Sequence, residues 1–164
     1  MASAPARPSP PSHVLETCLY VRDMDQSLAF YINILGLQPQ IKSSRLTMFP
    51  LGNTTLILFQ LGMTASDSVS ESGIVPGHGP DEQTLIALTE DNDNPDSDPR
   101  RLHMHYCLAV SSREEVEVWE EYLKSMEVKL RGSMNWQKGG KSVYFEDPDG
   151  HIGEIGSRGI WEHW

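Results

Sequence analysis

The sequence predicts an α+β fold of two βαβββ modules whose strands form a half-open trough of mixed and antiparallel β-sheet. Three observations carry that expectation. The order of strand, capped helix and three short strands occurs twice, over residues 13–62 and 102–158. Each first strand ends in a valine just before its helix cap, Val21 and Val110, and five positions upstream of these lie Glu16 and His105. Around Asp147-Pro148-Asp149-Gly150, two runs rich in β formers read as a hairpin, because proline presets one backbone angle and glycine accepts the positive one a tight reversal needs.

In the first module, residues 13–21 alternate as a strand, with Val14, Glu16, Cys18 and Tyr20 on one side and Leu15, Thr17, Leu19 and Val21 on the other. Asp23 is set to cap the following helix, with Gln26 three positions on, and Leu28, Ile32 and Leu35 recur at helical spacing before Gly36 ends the run. Residues 37–42, 45–51 and 54–61 read as three short strands. In the second module, residues 102–110 form the first strand. Ser111 is set to cap a helix with Glu114 as its partner, and Val116, Trp119, Leu123 and Met126 mark the buried stripe. Residues 128–132, 141–146 and 151–156 are its remaining strands.

Between the modules, residues 63–101 turn to Ser, Gly, Pro, Asp and Asn, a length that implies a functional loop or a solvated linker. Gly73–Gly79 is placed to fold over a pocket, Gln83–Leu88 to add a short strand, and Asn92–Asp98 to lie in solvent. Residues 1–12 read as a flexible proline-rich tail. Residues 159–164 form an aromatic C-terminal tail, expected to dock on its own sheet or at the interface of a homodimer.

Of 164 residues, 38% are hydrophobic and 8% aromatic, which suits a globular protein with a sizeable core. The net charge of −10 argues against nucleic acid as a partner, since phosphate-backbone binding rests on clustered Lys and Arg. No apolar run approaches the roughly 20 residues of a membrane helix, and the first residues lack the apolar centre of a signal peptide, so a cytoplasmic location is expected. Cys18 and Cys107 lie within predicted strands and read as buried free thiols.

The carboxylate of Glu154 sits among small and apolar strand neighbours, and either faces water or is held for a cation. Position by position, Glu154 corresponds to Ile57 of the first module, each four places past its turn, as His105 corresponds to Glu16. Two modules related by a pseudo-twofold axis can bring these four positions together.

The ordered set of Leu19–Tyr31 with Leu35-Gly36, His105 within Leu102–Val110, and Tyr144–Glu154 resembles the vicinal oxygen chelate superfamily. That superfamily includes glyoxalases, extradiol dioxygenases, fosfomycin-resistance thiol transferases and bleomycin-binding proteins. The resemblance covers residues 13–158 and implies a glyoxalase-like fold, a small-molecule substrate and a divalent metal held by Glu16, His105 and Glu154. Glu16 replaces a histidine common at its position, and Ile57 stands where glyoxalase I has a fourth, usually acidic ligand. Such a donor set suits Fe, Mn, Ni or Zn. Glu16 and Glu154 are then also the candidate catalytic acid–base groups.

Around them, Tyr144, Lys141, Arg131 and His103 are candidate substrate-binding residues. Each has a plainer reading as well, Tyr144 in strand packing and the others on the surface. Arg45 and His78 are lesser candidates for an anionic substrate. His151, three positions from Glu154, falls on the opposite strand face. The loop Trp136–Lys141 lacks the spacing of a phosphate-binding motif. A metal-dependent lyase, isomerase or dioxygenase is the leading expectation, and a metal-free small-molecule binder of the bleomycin-resistance type is the alternative.

Overall fold

A computed structural model describes residues 7–81, 83–85 and 104–164. In chain order the elements are β1 (Glu16–Val21), α1 (Met24–Leu28), β2 (Ile41–Lys42), β3 (Leu46–Leu51), β4 (Thr54–Gln60), β5 (Ser68–Ser70), β6 (Gly73–Val75), β7 (His105–Val110), α2 (Arg113–Ser125), β8 (Leu130–Asn135), β9 (Lys141–Glu146) and β10 (Ile152–Ser157). The α+β class follows, with two four-stranded sheets in the orders β1-β4-β3-β2 and β7-β10-β9-β8 and a small β5-β6 hairpin.

The duplication is visible in the hydrogen-bond register. β1 runs parallel to β4 with Glu16 opposite Thr55 and Cys18 opposite Ile57. β7 runs parallel to β10 with His105 opposite Ile152 and Cys107 opposite Glu154. Glu16 and His105 therefore hold corresponding places, as do Ile57 and Glu154.

Several local expectations shift. Asp23 caps α1 by accepting from the Gln26 N–H at 3.0 Å, but the helix widens to a π-helical turn over Ala29–Ile34, and the Leu35 N–H donates to the Phe30 carbonyl. The cap of α2 is Ser112, one residue later than expected, accepting from Glu115 N–H at 3.3 Å while the Glu115 carboxylate takes the Ser111 N–H. The strand expected at Gln83–Leu88 is helical at residues 83–85. Asp81 accepts there from the Thr84 N–H through its side chain and from the Leu85 N–H through its carbonyl. Residues 86–88 and the acidic run Asn92–Asp98 lie outside the described residues.

One core joins the modules. Leu19, Val21, Leu28, Tyr31, Phe49, Leu56 and Leu58 of the first pack with Tyr106, Val116, Leu123, Val143, Phe145 and Ile155 of the second. Burying apolar surface at about 25 cal/mol per Å² makes that shared core the main cohesive force between them. Polar ties from the Asp147–Gly150 turn fix the alignment. Asp147 accepts the Tyr31 hydroxyl at 2.7 Å, and Asp149 accepts the Arg22 N–H at 2.8 Å and the Ser27 hydroxyl at 3.1 Å. His151 is fully buried, with Nδ1 taking the Met104 N–H at 3.2 Å and Nε2 donating to the Tyr20 carbonyl at 2.9 Å. No helix among the described residues is long and apolar enough to cross a membrane.

Candidate functional site

Strand alternation sends Tyr106, Leu108 and Val110 of β7 toward the core and leaves His105, Cys107 and Ala109 on the open face of the second sheet. Register adds Glu154 of β10 and Tyr144 of β9 beside Cys107. Two of the three residues read from the sequence as metal ligands meet here. His105 Nε2 lies 3.3 Å from Glu154 Oε2, with the Glu154 side chain 7% exposed and that of His105 55% exposed.

The other imidazole nitrogen fixes the electrostatics. His105 Nδ1 is 3.1 Å from the Ile152 carbonyl, which can only accept, so Nδ1 carries the hydrogen. Nε2 then presents a lone pair to a carboxylate oxygen unless a cation, either a proton or a metal ion, lies between them. A backbone carbonyl holding the far N–H is also the usual way a metal-binding imidazole is oriented. The donors fit half of a divalent-metal site. Among the described residues, no three His, Cys, Asp or Glu side chains are grouped to complete it.

Glu16, the third residue of the expected set, is exposed at the start of β1 and makes no hydrogen bond or ion pair with the dyad among the described residues. Its side shares Cys18, Tyr20 and the Ile57 and Phe59 of β4. Over that face, the segment after β4 lays His78 against Tyr20, with His78 Nδ1 2.7 Å from the Tyr20 hydroxyl and its ring 4.8 Å from that of Phe59. Gly79 permits the approach, having a positive φ of 88° and a position where a Cβ would lie 2.5 Å from the Tyr20 ring. His78 is thus engaged by this first-module cover.

Of the expected substrate-binding residues, Tyr144 stands on the open face with its ring centroid 6.3 Å from that of His105. Burial and the Glu154 charge raise its phenol pKa. Lys141 faces the other way. Its ammonium lies 3.1 Å from Glu120 and 3.5 Å from Glu117 of α2, on the helix side of the sheet, so it does not reach the dyad. Arg131, at the bulge between Leu130 and Gly132, ion-pairs with Glu146, which Lys129 also meets at 3.0 Å. His103 lies outside the described residues.

Cys107 is not the buried thiol its strand context predicts. It belongs to the open face beside Glu154, and local burial together with that carboxylate pushes its thiol up to about 12. Cys18 is half-buried. Two residues carry no sequence signal for this site, Ser142 and Trp136. Ser142 donates its hydroxyl to Glu154 Oε1, and the Trp136 indole N–H donates to Ser142 Oγ at 2.8 Å. Register finds Ser142 only once β9 is paired with β10.

The chain belongs to the glyoxalase/bleomycin resistance protein/dioxygenase superfamily, whose family model matches residues 12–155. Among solved structures it is similar to a lactoylglutathione lyase from Agrobacterium tumefaciens, at 26% identity and a TM-score of 0.74 over 94% of this chain and 99% of that one. Among curated proteins it is similar to the metallothiol transferase FosB of Lysinibacillus sphaericus, 24% identical over 80% of this chain and 72% of that protein. The FosB of Staphylococcus saprophyticus is 26% identical over 82% and 70%. A glyoxalase-related enzyme from Fulvimarina pelagi, 21% identical with a TM-score of 0.59, shares the fold.

Proposed function

We propose that the protein is a metal-dependent enzyme of this superfamily that acts on a small oxygenated substrate at a divalent cation held by His105 and Glu154. The observation that carries the reading is the His105–Glu154 dyad itself, an imidazole Nε2 3.3 Å from a carboxylate oxygen with its far nitrogen anchored on a carbonyl. A bound Fe, Mn, Ni or Zn would act as a Lewis acid toward substrate oxygens.

The chain's own residues do the rest. His105 and Glu154 supply donors from neighbouring strands, and a sheet holds such a pair more rigidly than a loop. Tyr144 offers a hydroxyl to a substrate oxygen from beside the imidazole. Glu154 is the acid–base candidate within the dyad, since Oε1 is already hydrogen-bonded by Ser142 and Oε2 is turned to His105. Glu16 keeps its place in the reading through a homodimer, where the exposed carboxylate of one copy is available to the dyad of another. The names of the relatives, a metallothiol transferase and a lactoylglutathione lyase, favour a thiol-linked transferase or lyase over a dioxygenase.

Isothermal titration of chelator-stripped protein with Mn2+ and Zn2+ tests the reading. Stoichiometric binding is expected, weakened at least about 100-fold in His105→Ala and in Glu154→Ala, because each removes a direct donor. A parent that binds neither ion, or variants that bind as well as the parent, would instead favour the metal-free binder. Oxygen uptake without thiol consumption would move the assignment to a dioxygenase.

A further inference from the structure

We propose that Trp136 and Ser142 are positioning residues for Glu154, a hydrogen-bonded chain that fixes which carboxylate oxygen faces the imidazole. The inference rests on the cation-site reading above and deepens it by naming what holds the carboxylate ligand from behind.

The direction of every bond in the chain is forced by donor inventory. An indole N–H can only donate, so at 2.8 Å Ser142 Oγ accepts from Trp136 Nε1. The hydroxyl has one proton left to give, and the carboxylate of Glu154, which can only accept, takes it on Oε1. Ser142 is fully buried, so water does not compete for that proton. With Oε1 occupied, Oε2 is the oxygen turned to His105 Nε2. The carboxylate is thereby presented to a cation through one oxygen rather than two.

Trp136 is itself held. Its backbone N–H donates to the Gly140 carbonyl at 2.8 Å and its backbone carbonyl accepts the Gly139 N–H at 3.0 Å, closing the loop that joins β8 to β9. The Trp161 ring of the C-terminal tail lies against it, with centroids 6.5 Å apart. The same tail lays Ile160 over Gly156, where an added Cβ would stand 2.5 Å from Ile160 Cδ1 and 3.4 Å from Glu154 Oε1. The aromatic tail, one of whose two expected docking places is its own sheet, thus packs against both the tryptophan and the strand that carries the carboxylate.

The test uses the full chain, in two parts. In chelator-stripped protein, the 1H–15N resonance of the Trp136 indole is expected to move in Ser142→Ala and also in Glu154→Gln, whose altered group lies one bond further along the chain. An indole resonance unmoved by Glu154→Gln would overturn the proposal whether or not metal binds. With Mn2+ titrated calorimetrically, Ser142→Ala is expected to weaken binding about 10–100-fold and Ser142→Thr, which keeps the hydroxyl, to restore most of it. Tryptophan emission should respond to Mn2+ in the parent and not in Trp136→Phe. Equal Mn2+ affinity in the parent and Ser142→Ala would also overturn it. A parent that binds no Mn2+ yet keeps the indole coupling would sink the cation-site reading alone and support the orienting role of Ser142.

Discussion

At the residue scale, what a charged side chain does follows from which sheet face its strand gives it. Glu154 and Lys141 both belong to the second sheet, yet alternation sends the carboxylate to the open face and the ammonium to the carboxylates of α2. Glu120 receives Lys141 at 3.1 Å and Lys124 at 3.2 Å, and the Lys141 hydrogen bond holds its carboxyl below the usual carboxylate range. A folded-state value below the unfolded one gives stability that is present above the unfolded pKa of about 4.3 and lost as the pH falls through the folded value. Glu120→Gln is therefore expected to lower stability by about 0.5 kcal/mol at neutral pH. Urea melts of both proteins at descending pH should show the difference closing from about pH 5 downward. The correspondence of Glu16 with His105, and of Ile57 with Glu154, was legible in the sequence, because register in a duplicated module is a matter of counting. Lys141 was misplaced because its partners, Glu117 and Glu120, lie on a helix more than twenty residues away.

At the element scale, caps and turns were largely readable, and their errors have local causes. Asp23 was identified from its spacing to Gln26, whereas Ser111 and Ser112 compete for one cap and the 3.3 Å bond from Glu115 N–H selects the second. The end of α2 carried less warning. Glu127 adopts a left-handed φ of 56°, while its N–H donates to the Lys124 carbonyl and that of Val128 to the Leu123 carbonyl, the double closure in which glycine is the usual residue. A side chain with a Cβ is strained there. Glu127→Gly is expected to raise stability by about 0.5–1 kcal/mol, read as a higher urea midpoint at unchanged slope. An unchanged or lower midpoint would mean that the Glu127 side chain contributes something its exposed position does not reveal.

At the scale of the whole molecule, the two modules share one core and the buried Asp147–His151 turn, so they should unfold together. All four tryptophans, Trp119, Trp136, Trp161 and Trp164, lie in the second half of the chain, while far-ultraviolet circular dichroism reports both halves. Their denaturation curves are expected to superimpose, and separated midpoints would show that the shared core does not couple the modules. Tyr31→Phe should lower both curves equally, since it removes the donor that reaches Asp147 across the module boundary. The sequence by itself determined the duplicated β and α order and the hairpin at Asp147–Gly150, because periodicity, capping and turn chemistry act between near neighbours. Only the tertiary structure decided that His105 and Glu154 meet while Glu16 stands apart, that His151 joins the modules and that Ser142 backs the carboxylate. Those outcomes depend on which strands pair and which faces are covered, and contacts between residues up to about 130 positions apart leave no periodic trace in the chain.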